Sequence, residues 1–127
     1  MSMAETNVIV LNAHDTTSDP KEYGFDSWRD YWEAHGHSRN DLKHYRKNVE
    51  LKNGKHEFVE VYQCLACGKY FQWDGEQPDN FDGCHVYIKG KGQERLYILP
   101  LCHACNHCDD EIEIPSHLLE PAPKKKN

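Results

Sequence analysis

The sequence predicts a small α+β domain that a bound metal ion stabilises. A helical pattern occupies the first part of the chain, strand patterns follow it, and two Cys-x-x-Cys pairs lie within the strand region. A chain of 127 residues is the size of one domain. We expect that domain over residues 23–115, after an irregular segment 1–22 and before a flexible tail 116–127 that is rich in Pro and Lys.

The composition also favours a metal-stabilised fold. Hydrophobic residues make up 38% of the chain, below the roughly 45–50% of ordinary globular domains. A small core of this kind often depends on a metal ion or on disulfides. Six cysteines are present and could supply either.

The sequence contains no segment that is apolar for long enough to span a membrane, and its N-terminus lacks the pattern of a signal peptide. We therefore expect a cytoplasmic protein with no membrane partner. Thiols stay reduced in the cytoplasm, which favours metal binding over disulfides. No motif for a small-molecule cofactor is evident.

Charge is unevenly distributed along the chain. The formal net charge of −6 is unlike that of proteins that coat nucleic acids. Basic residues nevertheless concentrate in the stretch 39–56. This stretch is interpreted as a solvated helix face, or as a local patch for phosphate or for an acidic partner.

Two helices are predicted in the first half. The first begins near Ser27, which forms a capping-box pattern with Asp30. It places one aromatic face inward and ends at Gly36; that face consists of Trp28, Tyr31, Trp32 and His35. A second helix is predicted from Ser38 to Asn48.

Strands are predicted in the second half. An Asn53-Gly54 turn precedes a strand over His56–Gln63. Further strands are predicted over Cys84–Ile88 and Arg95–Leu99, with a last one around Ile112 and Ile114. Near the N-terminus, Val8–Leu11 is either a short strand or a docking segment.

The two Cys-x-x-Cys pairs predict a structural zinc site whose ligands are Cys64, Cys67, Cys102 and Cys105. Gly68 suits the positive φ that such a knuckle needs after its second cysteine. Two disulfides and a redox-active pair are the alternatives. The ligand set has further candidates close by in sequence, namely Cys84, His103, His107 and Cys108.

About 45 residues, 64–110, resemble the zinc-containing HNH family, whose core is the treble-clef or ββα-metal fold. The resemblance is carried by Cys64-Leu65-Ala66-Cys67-Gly68, by Gly83-Cys84-His85-Val86 and by Leu101-Cys102-His103-Ala104-Cys105-Asn106. It implies a knuckle, a histidine-bearing hairpin, a second knuckle and a short helix. We therefore expect N-terminal helices packed on a zinc-stabilised treble-clef module.

The same resemblance implies metal-dependent hydrolysis of nucleic-acid phosphodiesters. His85 would be the general base, and Asn106 on the helix, with His107 as its substitute, would hold a catalytic Mg²⁺ or Mn²⁺. Two positions depart from the family pattern. Cys84 stands where the family has Asp or His, and Tyr97 stands where it has the asparagine that orients the base.

Because of these departures, the sequence favours a non-catalytic binding or regulatory module for a protein or nucleic-acid partner. A divalent-metal-dependent HNH endonuclease with His85 as general base is the alternative.

Overall fold

The computed structural model describes residues 6–13 and 18–123. These residues form one α-helix, α1 (Trp28–Ala34), and eight strands: β1 (Asn7–Asn12), β2 (His44–Glu50), β3 (His56–Gln63), β4 (Tyr70–Phe71), β5 (Phe81–Ile88), β6 (Tyr97–Cys102), β7 (Ile112–Pro115) and β8 (Glu120–Pro121). The α+β class is confirmed. Over the described ranges, no helix has the length and apolar character that a membrane crossing requires.

The strands form two antiparallel sheets, one of five strands in the order β7-β1-β5-β6-β8 and one of three in the order β2-β3-β4. Strand β1 is interior, because Val10 pairs with Ile88 of β5 on one side and with Ile112 of β7 on the other. The sequence predicts a mostly irregular segment over 1–22, with Val8–Leu11 as a short strand or a docking segment, and β1 confirms the strand alternative. Residues 1–5 and 14–17 lie outside the described ranges.

Helix α1 forms as the sequence predicts. The Ser27 hydroxyl accepts a hydrogen bond from the backbone N–H of Asp30 at 3.1 Å and so caps the first turn. The buried side of α1 carries Trp28 and Trp32 and packs across β5 and β6. The helix reaches the sheet closely at Gly83, where a Cβ atom would lie 2.5 Å from the backbone nitrogen of Arg29.

The second helix, predicted over Ser38–Asn48, is wrong. Ser38 and Asp41 do form a capping box, but it closes only a 3₁₀ turn, Arg39–Asp41. The chain is extended from Leu42 onward and becomes β2. Each residue of β2 pairs with one of β3 across a turn that contains Gly54 at φ +81°. Cross-strand pairing in this hairpin therefore outweighs the local helix signal.

The tail is ordered well beyond residue 115. Leu118 and Leu119 are buried, and the Leu118 carbonyl accepts a hydrogen bond from the indole nitrogen of Trp32 at 2.7 Å. Strand β8 then pairs with β6. The prediction of a flexible tail over 116–127 is therefore wrong for residues 116–121, while residues 124–127 are outside the described part.

Candidate metal centre

The structure brings the two cysteine pairs together at the meeting point of the two sheets. The sulfur atoms of Cys64, Cys67, Cys102 and Cys105 all lie within 4.8 Å of one another. The distance between the Sγ atoms of Cys67 and Cys102 is 3.8 Å. Sulfurs at the corners of a tetrahedron with Zn–S bonds of about 2.3 Å are about 3.8 Å apart, whereas a disulfide needs about 2.0 Å. These four residues could hold a metal ion such as zinc.

The first knuckle is a tight turn between β3 and β4. The backbone N–H of Gly68 donates to the Cys64 carbonyl at 2.9 Å, and that of Cys64 donates to the Lys69 carbonyl at 2.8 Å. Gly68 has φ +76°, a conformation that residues with a Cβ rarely adopt. The prediction of a positive φ after Cys67 is confirmed.

The second knuckle begins inside the five-stranded sheet. Cys102 is the last residue of β6, and Cys105 opens a 3₁₀ turn, Cys105–His107. The Cys102 backbone N–H points at the Cys64 Sγ at 3.4 Å, which ties the two knuckles together. An N–H···S contact of this kind partly neutralises a thiolate. The short helix that the resemblance implies after this knuckle is only this 3₁₀ turn.

Burial makes two of the four thiols, those of Cys102 and Cys105, costly to ionise without a cation. Cys64, Cys102 and Cys105 are buried, while Cys67 is exposed. Burial raises the pKa of Cys102 to about 11 and also raises the pKa of Cys105. Burial alone would raise the pKa of Cys67, but hydrogen bonds from the Lys69 backbone and from neighbouring thiols lower it overall. A divalent ion would supply the positive charge that the remaining thiolates need.

Asn12 connects the N-terminal strand to the second knuckle. Its buried side-chain amide donates to the carbonyl of Cys105 at 2.9 Å and to that of Cys108 at 2.7 Å. These bonds hold the chain around the knuckle in place. Nothing in the sequence points to this role, because Asn12 lies 93 residues before Cys105.

The two remaining cysteines lie outside the four-sulfur group. Cys84 is buried in β5, and its thiol donates to the Asp82 carbonyl at 3.5 Å. Burial raises the pKa of Cys84 well above its usual value, so this thiol stays protonated. The Cys108 thiol donates to the Ala104 carbonyl at 3.4 Å.

His85 lies apart from the other residues that the resemblance implies to be catalytic. The strand pairing runs without a break from Phe81 to Val86, so Asp82 and His85 point to opposite faces of the sheet. The His85 Nε2 atom lies 3.3 Å from the Ser18 hydroxyl, and the imidazole ring lies edge-on to Trp28 at 4.8 Å. Burial lowers the pKa of His85, which stays neutral near pH 7.

Asn106 and His107 lie on the other side, around Asp82. The Asn106 amide donates to Asp82 Oδ2 at 3.1 Å, and His103 Nδ1 lies 2.7 Å from the same oxygen. Asp82, His103 and His107 each place a possible ligand atom within 4.8 Å of the other two. His103 and His107 are four residues apart on either side of Cys105, which is the sequence signal for this cluster.

Tyr97 lies on the face of the sheet opposite to His85. It pairs with Val86, one residue beyond His85, and neighbouring residues of a strand face opposite ways. The residues that the resemblance implies to be catalytic are therefore divided between two places in the fold.

Comparison of this chain with protein-family models, with curated proteins and with solved structures found no match.

Proposed function

We propose that the chain is a non-catalytic binding module in which Zn²⁺ stabilises the fold and the hairpin β2–β3 binds single-stranded nucleic acid. The observation that carries the proposal is that this hairpin extends a cationic, aromatic surface away from an otherwise acidic molecule. The four-cysteine group supports the structural part of the proposal, because it lies directly after β3 and would fix the base of the hairpin.

The hairpin is exposed on both faces. In β2 every residue except Val49 is exposed. Phe58 in β3 keeps 62% of its surface accessible and Tyr45 in β2 keeps 48%, on opposite faces of the hairpin. Aromatic side chains this exposed contribute little to a core, and they are suited to contacts with a partner.

The charge of the hairpin is opposite to that of the rest of the chain. Residues 43–63 contain five basic and three acidic residues, a formal net charge of +2, whereas the whole chain has −6. The guanidinium group of Arg46 lies 5.2 Å from the centre of the Phe58 ring. A cation beside an exposed ring is the combination with which proteins bind phosphates and stack bases in single strands.

Nucleic-acid binding is tested with a fluorescent single-stranded 20-mer of thymidines and fluorescence anisotropy in 50 mM salt. We expect Phe58→Ala to weaken binding about 5- to 150-fold, because stacking of one base contributes about 1–3 kcal/mol. Arg46→Ala should weaken binding and should also reduce its salt dependence by about one phosphate contact.

The matched control is Ile9→Ala, which truncates an exposed apolar residue of the other sheet. It should bind as the wild type does. A wild type that fails to bind the single strand at low salt contradicts the nucleic-acid proposal, and binding that Ile9→Ala weakens as much as Phe58→Ala also contradicts it.

The endonuclease alternative has less support from the geometry. A general base must reach the water that the catalytic ion also orients. His85 is buried against Trp28 on one face of β5, while the Asp82 cluster lies on the other. We therefore do not propose His85, Asn106 and His107 as one catalytic site.

Plasmid cleavage tests this exclusion. With Mg²⁺ or Mn²⁺ we expect no nicking above background, and we expect the same result for the wild type and for His85→Ala. Cleavage by the wild type that His85→Ala abolishes would restore the nuclease alternative.

A further inference from the structure

We infer that Asp82, His103 and His107 form a second metal site, separate from the four-cysteine group, which takes a transition-metal dication such as Zn²⁺. The site uses neither His85 nor the residue before it. It takes one imidazole from inside the second knuckle, between Cys102 and Cys105, a position to which the resemblance assigns no role.

The second knuckle divides its side chains between the two sites. Cys102 and Cys105 contribute sulfur atoms to the four-cysteine group. His103 and His107 instead converge with each other, with their ring centres 5.0 Å apart. His103 also reaches Asp82 on β5. A single turn of chain therefore presents ligands to two adjacent places.

Asp82 is held in position to act as a ligand. Its Oδ1 atom accepts a hydrogen bond from the Asn80 amide at 3.0 Å, and its Oδ2 atom accepts one from Asn106 at 3.1 Å. Metal-binding carboxylates in proteins are oriented by outer hydrogen bonds of this kind. With these two amide partners in place, Oδ2 also lies 2.7 Å from His103 Nδ1.

The distances suit a metal after a small adjustment. The possible ligand atoms lie within 4.8 Å of one another, and His103 Nδ1 lies 2.7 Å from Asp82 Oδ2. Ligands around Zn²⁺ at about 2.0–2.1 Å are about 3.4 Å apart, so a metal would widen the short gap and draw His107 inward. His107 is exposed and can rotate.

The ligand types select the ion. Two imidazoles and one carboxylate suit Zn²⁺ and similar ions, whereas Mg²⁺ prefers oxygen ligands. Three protein ligands also leave a position for water or for an oxygen of a bound molecule. Charge favours a second cation as well, because four thiolates around one Zn²⁺ keep a net charge of −2. The argument from charge rests on the proposed zinc centre, whereas the argument from ligand geometry is independent of it.

The test is a metal count on the full chain with Zn²⁺ and with Co²⁺. The wild type should bind two equivalents, of which only the first gives the intense thiolate-to-cobalt absorption. Asp82→Asn and His107→Gln should each bind one equivalent and keep that absorption unchanged. Both variants spare the cysteines and also His103, which lies next to Cys102.

The matched control is His56→Gln, which removes an exposed imidazole at the far end of the hairpin and should keep two equivalents. The retained thiolate absorption shows that each variant is folded and separates this site from the zinc centre. One equivalent in the wild type at saturating Zn²⁺ would overturn the inference and leave Asp82 and His103 as an ordinary hydrogen-bonded pair. Two equivalents in both variants, or an equal loss in His56→Gln, would also overturn it.

Discussion

Removal of the proposed zinc ion with a strong chelator is expected to unfold the chain. Structural zinc contributes about 10–16 kcal/mol of apparent binding free energy, which is comparable with the about 5–15 kcal/mol that separates a whole folded domain from its unfolded state. Three of the four sulfurs are buried at the junction of the two sheets, so without the ion they would be buried thiols with few partners. Circular dichroism and the zinc content, followed together during chelation, check this result.

Single cysteine substitutions test whether the four-sulfur group in particular stabilises the fold. Cys102→Ser should lose zinc and native structure, whereas Cys108→Ser should change the free energy of unfolding by less than about 1 kcal/mol. Cys108 is the matched control because it lies in the same Cys-x-x-Cys-x-x-Cys run but outside the four-sulfur group. A serine hydroxyl there can still donate to the Ala104 carbonyl. Metal-free protein with a native spectrum, or equal damage from both substitutions, would contradict the zinc centre.

Gly83→Ala is expected to lower the free energy of unfolding by about 3 kcal/mol, near the upper end for overpacking a core. The added Cβ would lie 2.5 Å from the Arg29 backbone nitrogen and 2.5 Å from the Trp28 Cβ atom. These atoms belong to α1, which could yield only by moving away from β5 as a unit. Urea denaturation followed by tryptophan fluorescence measures the loss.

Gly90→Ala is the control for this substitution. A Cβ at Gly90 would meet nothing within 4 Å, but its φ of +84° makes alanine strained there. Its expected cost is about 1 kcal/mol, from the backbone alone. If both alanines cost the same, the close approach of α1 to β5 at Gly83 is not what makes glycine necessary there.

The elements that were predictable from sequence are those that local signals determine. Ser27 and the aromatic spacing that follows it define α1, and Asn53-Gly54 with alternating residues defines the start of β3. The spacing of the four cysteines also points to one group, although the chain between the knuckles had to fold back to bring them together.

The errors arose where distant contacts decide the structure. The capping box at Ser38 is real, yet the residues after it pair with β3 and become a strand. The tail was predicted to be flexible from its Pro and Lys content, although it also contains Leu118 and Leu119, which are buried next to α1. The spacing of His85 and Asp82 could have predicted that they lie on opposite faces of the sheet, because residues three apart on a strand point in opposite directions.

Asn12 also has a consequence for the order in which the fold can assemble. Strand β1 lies between β5 and β7. Asn12 is separated by 93 residues in sequence from Cys105, whose carbonyl it binds. Contacts between residues this far apart in sequence require a long loop to close, which lowers the entropy of the chain before the contacts can stabilise it. Folding that depends on such contacts is therefore slow. We expect the hairpin β2–β3 to form early and the closure of β1 against the second knuckle to form late. The slowest step of folding would then be the docking of β1 against β5, β7 and the second knuckle, rather than binding of the metal ion.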